Sequence, residues 1–220
     1  MRASLDLLEI AAPADYYLLI SGSDYPLYSR QTLERTLAKA PLFINSKPVP
    51  FPSKPLKRFT RYHFKNLARR NPQGKTWLLL IVEKLLKRPP FARRVPLKIY
   101  AGSTWFALSD SVRSDLLQIH QSKPNYESFF ENGLCPDEAF YQSLLACSKY
   151  LGQEKPNLSF LKWTENQSSP KILLQEDLHF MLKENSFNDL YACHEIAFGR
   201  KFTDQSNESC DWIAQNLRSL

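Results

Sequence analysis

The chain has 220 residues, 43% of them hydrophobic and 23% charged, with a formal net charge of +7. That is enough apolar material for one substantial core, so a single domain over residues 1–220 is expected and a disordered chain is excluded. No apolar run approaches the roughly 20 residues that span a bilayer, the longest being Trp77 to Val82.

Residues 2 to 11 read as a helix without a cap. Tyr16 to Ile20 is a short apolar run of strand length, with the pattern of a central parallel strand buried on both faces. It ends in the turn-forming cluster Ser21 to Pro26, at the edge of the strand where ligands bind in open α/β sheets. Ser29 is placed to cap a helix that runs to about Lys39. Lys47 to Pro55 carries four prolines and reads as a loop, and Arg58 to Phe64 fits a strand. Lys75 to Arg88 is predicted to be a helix stopped by Pro89 and Pro90. Ile99 to Leu108 reads as strand and turn around Gly102-Ser103, and Ser109 caps a helix to about His120. Pro136 fits the first turn of a helix to Tyr150, with Asp137 and Glu138 in that turn. Leu158 to Trp163 is a further strand, while Gln175 to Lys183 and Ser206 to Leu217 are helices. Strands alternate with helices, so the class is α/β.

Cys135, Cys147, Cys193 and Cys210 match no zinc or CxxC spacing and are too few for a disulfide scaffold, so they read as mostly buried thiols. The four histidines are scattered, and no His/carboxylate cluster has metal-ligand spacing. No GxGxxG or GxxxxGK[ST] loop is present, which leaves dinucleotide binding and P-loop phosphoryl transfer unsupported. Charge is unevenly spread. Between Lys47 and Lys98 stand 15 Lys or Arg and one acid, Glu83, while the remainder is acidic overall. Such a segment is either a solvated basic face or the contact for an anionic partner. No nucleic-acid-binding motif accompanies it, so nucleic acid is not an expected partner.

Three local features carry possible chemistry. One is the strand-end turn with Asp24, preceded by Asp15 before the same strand. Another is Cys135-Pro136-Asp137-Glu138, whose carboxylates serve either a site or simply the helix dipole. The third is Phe198-Gly199-Arg200-Lys201-Phe202, either a surface charge pair or a basic edge suited to a diphosphate.

Taken in order, Asp15 to Leu27, Gly102 to Leu108, Cys135 to Tyr141, Ser169 to Lys171 and Phe198 to Phe202 resemble the Core-2/I-branching enzyme family. That family contains the β-1,6-N-acetylglucosaminyltransferases and the peptide O-xylosyltransferases. The resemblance implies a GT-A type fold, an open and mostly parallel sheet flanked by helices. It implies an inverting glycosyltransferase that moves N-acetylglucosamine or xylose from a UDP-sugar to a hydroxyl on a glycan or protein acceptor. Glu138 falls on the family's catalytic base. Arg200 and Lys201 take the place of a metal at the departing diphosphate, so no metal or other cofactor is expected. Asp15 and Ser169 fall where donor contacts are expected, and Lys171 is a further candidate for the phosphates. Trp105 and Arg61 fall on the acceptor side, which the basic segment makes suitable for an anionic acceptor.

Two departures qualify the expectation. The chain starts near the last helix of the strand–helix module that holds uracil and ribose in family domains, so it reads as N-terminally truncated. Gly199 stands where related sequences often have Ala or Asn. The alternative reading is therefore a catalytically dead carbohydrate- or anion-binding remnant. Met1 to Ala12 lacks the pattern of a signal peptide. The expected location is accordingly the cytoplasm, with peripheral membrane association open, or the Golgi membrane if the chain is a piece of a eukaryotic protein.

Overall fold

A computed structural model of the chain describes residues 1–64, 74–86, 98–123, 125–164, 167 and 169–218. In chain order the first elements are α1 (Arg2–Ile10), β1 (Tyr16–Leu19), β2 (Asp24–Pro26), α2 (Arg30–Leu37), β3 (Leu42–Ile44), β4 (Lys47–Pro48), α3 (Lys57–Thr60) and α4 (Lys75–Leu86). There follow β5 (Tyr100–Ala101), β6 (Phe106–Ser109), α5 (Asp110–Gln121), α6 (Tyr126–Glu131) and α7 (Phe140–Leu145). The last are β7 (Ser159–Leu161), α8 (Gln175–Leu178), β8 (Ser186–Asn188), β9 (Cys193–Glu195), β10 (Phe198–Arg200) and α9 (Asn207–Asn216). The chain divides into two compact units, each assembled from three stretches. Unit 1 comprises Met1–Glu9, Ser46–Thr104 and Ser114–Leu151, and unit 2 comprises Ile10–Asn45, Trp105–Arg113 and Gly152–Leu220.

Unit 2 holds two three-stranded sheets, ordered β1-β6-β3 and β2-β10-β7. In the first, β6 lies between two antiparallel neighbours, with Tyr17 opposite Leu108 and Phe43 opposite Ala107. In the second, β10 runs antiparallel to β2 and parallel to β7. The class is mixed α/β, but among the described residues only the β10–β7 ladder is parallel. The expected open, mostly parallel sheet is not what these ladders form. The apolar run at Tyr16 to Ile20 is an edge strand, not a central one. Of its four residues only Tyr17 is buried. The tyrosines tolerate that position because their hydroxyls find polar partners, Tyr16 at the Ala40 carbonyl (3.0 Å) and Tyr17 at the Ala12 carbonyl (3.1 Å). The predicted cap is present, with Ser29 Oγ accepting from the Thr32 amide at 3.3 Å.

Unit 1 centres on aromatic packing. Phe140 of α7 lies 5.2 Å from the Tyr126 ring and 5.8 Å from Phe130, both on α6. The Tyr126 hydroxyl donates to the Phe140 carbonyl at 2.9 Å, so the buried phenol is satisfied. Ser143 of α7 accepts from the Tyr100 amide and donates to the Tyr100 carbonyl, both at 3.0 Å, which ties α7 to β5. Two expectations are corrected here. Arg58 to Phe64 is not a strand, because its first residues belong to α3. The helix expected from Pro136 to Tyr150 is a 3-10 turn, Pro136–Glu138, separated from α7 by Ala139 at φ −140°. Helix α4 is present as Lys75–Leu86, while Pro89 and Pro90 lie outside the described residues.

Gly199 is explained by packing. A Cβ there would stand 2.9 Å from Phe202 Cε2, 3.1 Å from Leu27 Cδ2 and 3.2 Å from Leu173 Cδ1. Leu27, Leu173 and Phe202 all belong to one buried cluster of unit 2. Gly199→Ala is therefore expected to destabilise the protein by about 1–3 kcal/mol, and Gly199→Asn by more, in chemical denaturation.

Candidate active site

The Glu138 carboxylate is positioned by a strained turn and two cations. Cys135 has φ +53° and sits in the left-handed region, which costs energy for a residue with a Cβ. Pro136 follows and starts the 3-10 turn. Two bonds hold that turn, and a third holds α7, against the Gly102 to Thr104 segment. The Gly102 amide donates to the Glu138 carbonyl (2.8 Å), Thr104 Oγ1 donates to Asp137 Oδ2 (2.8 Å), and Gln142 Nε2 donates to the Ser103 carbonyl (2.6 Å). Asp137 is thereby used in structure, and Glu138 is left with its side chain for other partners.

Those partners are Lys54 and Arg58. Lys54 Nζ donates to Glu138 Oε2, and Arg58 Nη2 donates to the same oxygen at 3.0 Å. Oε1 has no partner among the described residues, and the Glu138 side chain retains 28% exposure. Lys54 comes from a tight turn in which the Phe51 and Lys54 backbones bond to each other. Arg58 comes from α3, where its own carbonyl accepts from the Leu134 amide at 3.1 Å. Lys54 was not a candidate from sequence, since nothing about a lysine between prolines marks it for burial. Arg61, predicted on the acceptor side, follows α3 directly and is half-buried in the same unit.

In unit 2 the structure joins two of the sequence features. Arg200 Nη1 donates to Ser21 Oγ and lies 3.4 Å from Asp24 Oδ2. Asp24 also accepts from the Ser21 amide at 2.5 Å, and its side chain is almost fully buried. The guanidinium carbon sits 4.6 Å from the centre of the Trp105 ring. Arg200 Nε and Nη2 have no hydrogen-bond partner among the described residues. One face of Trp105 is therefore occupied by Arg200 itself. Lys201 is half-buried next to it, with its backbone tied to Lys171 and Leu173.

The other candidates lie apart. Asp15 is exposed at the opposite end of β1 from Ser21, separated by the strand's own length of about 13 Å. It lines a shallow hollow with Pro13, Ala14, Ser109, Asp110 and Ser111. Burial, and secondarily the Asp15 carboxylate, pushes the Tyr16 phenol up. Ser169 lies on an exposed bend. The Lys171 ammonium is already engaged by Asp177 (2.8 Å) and Glu176 (3.5 Å). Among the described residues no three His, Cys, Asp or Glu side chains gather as metal ligands would.

A sequence model of the Core-2/I-branching enzymes matches residues 1–181. The chain belongs to that family. Core-2/I-branching enzymes are glycosyltransferases with a GT-A-like fold that use nucleotide-sugar donors and glycan acceptors. The family match includes Asp15, Asp24, Trp105, Glu138 and Ser169 and ends before Arg200 and Lys201, which stand on their own geometry. Among curated proteins none matches the chain. No helix among the described residues is long and apolar enough to cross a membrane.

Asp177 shows how unit 2 fixes the segment after β7. Burial alone would raise its carboxyl, but bonds from Lys162 (2.6 Å), Lys171 and the Leu174 amide (3.0 Å) outweigh it and hold it at about 2. A carboxyl lowered in the folded state contributes stability above its ordinary value of 3.8, and loses it as pH falls toward 2. Asp177→Asn is expected to destabilise the protein by about 1–2 kcal/mol at neutral pH, with the gap to wild type closing as pH drops from about 4 toward 2 in denaturation curves.

Proposed function

We propose that the chain is an inverting glycosyltransferase that moves N-acetylglucosamine or xylose from a UDP-sugar to an acceptor hydroxyl, with Glu138 as base. In such a reaction the acceptor oxygen forms a bond to the anomeric carbon from the face opposite the diphosphate. The base takes the hydroxyl proton, and the bond to UDP breaks with its electron pair leaving on the diphosphate. Glu138 Oε1 would receive the proton while Lys54 and Arg58 hold Oε2. Arg200, through its unengaged Nε and Nη2, and Lys201 would stabilise the leaving diphosphate without a divalent metal. Trp105 would act mainly by supporting Arg200, with any acceptor contact made by ring surface that Arg200 does not cover. Ser169 would contact the donor from an exposed bend. Asp15 is a donor contact only for a part of the nucleotide sugar remote from the diphosphate, given its distance from Ser21.

The observation that carries this reading is the asymmetry of Glu138, with two cations on one oxygen and the other unpartnered among the described residues. The same two cations favour a second reading, an inactive protein of this fold that binds carbohydrate or anions, in which Glu138 serves to neutralise Lys54 and Arg58.

Glu138→Gln separates the two. Transfer from UDP-N-acetylglucosamine or UDP-xylose is expected to fall by at least about 100-fold, with UDP binding retained in calorimetry. Full activity in that variant contradicts the assigned base. Arg200→Ala is expected to weaken UDP binding, and activity is expected to be unchanged by EDTA. Loss of activity in EDTA would contradict the metal-independent reading.

A further inference from the structure

Helix α4 in unit 1 is built the wrong way round for a water-soluble surface. Its only acid, Glu83, is 1% exposed and turned inward, accepting from the Phe64 amide at 3.0 Å and lying 3.1 Å from His63 Nδ1. Its outward residues are Trp77 (61% exposed), Leu78, Leu79, Val82 and Leu85 (55% exposed). A helix on a soluble protein turns its apolar stripe to the core, whereas this one turns large apolar residues outward and buries its acid, with Lys75 and Lys84 exposed. At 100° per residue, Trp77, Leu85, Leu78 and Val82 fall on one continuous face, flanked by the exposed Lys84. Large exposed apolar faces of this kind mark a surface that is covered by something else.

Charge decides what covers it. In sequence the helix is preceded by Lys65, Arg69 and Arg70 and followed by Lys87, Arg88, Arg93 and Arg94, with Lys75 and Lys84 on the helix itself. The sole acid of the whole Lys47 to Lys98 segment is Glu83, which is buried, so the charges that the helix itself exposes, Lys75 and Lys84, are cationic, and the sequence on either side is basic. A second copy of the chain would bring two such segments together and repel. An anionic lipid surface complements both features at once. The apolar face enters the acyl boundary, tryptophan sits at the headgroup level, and lysines extend to the phosphates. Twelve residues of helix span about 18 Å, too short to cross a bilayer of roughly 30 Å, so the helix would lie in the interface plane.

We propose that α4 is an interfacial anchor that docks the protein on anionic phospholipid through Trp77, Leu78, Val82 and Leu85. The proposal does not depend on the transferase reading. It is tested on the full chain by co-sedimentation with vesicles of phosphatidylglycerol and phosphatidylcholine, against vesicles of phosphatidylcholine alone. Wild type is expected to bind the anionic vesicles, and the triple variant Trp77→Ser, Leu78→Ser, Leu85→Ser to bind at least about tenfold more weakly with its circular dichroism and melting unchanged. Lys75→Glu with Lys84→Glu, which leaves the apolar face intact, is expected to weaken binding too, and high salt to reduce but not abolish it in wild type. Absence of binding to anionic vesicles would overturn the proposal. So would binding that the triple variant retains in full, which means simple adsorption of the basic segment, or self-association in light scattering that the triple variant abolishes.

Discussion

Glu138 Oε2 receives both Lys54 and Arg58, and the local structure of unit 1 around it follows from that contact. Lys54 has 10% of its side chain exposed and Arg58 17%, so neither charge is well solvated without the carboxylate. Removing the carboxylate would leave both charges partly shielded from water without a counter-ion. The strain at Cys135 is tolerated because the turn it enters is held from several directions. Those restraints are Gly102 on the Glu138 carbonyl, Thr104 on Asp137, and the two cations on the side chain. A carboxylate fixed by one oxygen is what a general base requires, since its second oxygen then has a defined direction.

Unit 2 applies the same principle with the signs exchanged. Arg200 is the cation there, and Asp24 with Ser21 holds one of its nitrogens while Trp105 covers a face of the guanidinium. The remaining donors keep the planar fork that suits phosphate oxygens. Gly199 beside it has no room for a side chain, so the strand that presents Arg200 packs directly on Leu27, Leu173 and Phe202. Each unit thus uses a buried opposite charge to orient the group that would do chemistry.

Features with a local cause were legible in the sequence. The Ser29 cap, the helices at residues 2 to 11 and 206 to 217, and the turn at Gly22-Ser23, though not its continuation into β2, all follow from neighbours within a few positions. The failures have long-range causes. Tyr16 to Ile20 reads as a doubly buried strand, yet its edge position is set by antiparallel pairing with β6, about 90 residues away. The break at Ala139 interrupts a run that reads as one helix, because the turn before it answers to Gly102, Thr104, Lys54 and Arg58. Lys54 was invisible for the same reason, its partner lying 84 positions along the chain. Periodicity gave α4 as a helix but could not say which face turns inward, and only the contact of Glu83 with His63 and Phe64 settles that.

The central claim is that Glu138 does chemistry and is more than a counter-ion for two cations. Chemical rescue separates these directly. Transfer from a UDP-sugar by Glu138→Ala would be measured with and without added formate, alongside the melting temperature. The expected result is that formate restores part of the lost rate in a saturable manner, acting as the missing base. Formate that raises the melting temperature by filling the site between Lys54 and Arg58, and leaves the rate at zero, would contradict the account.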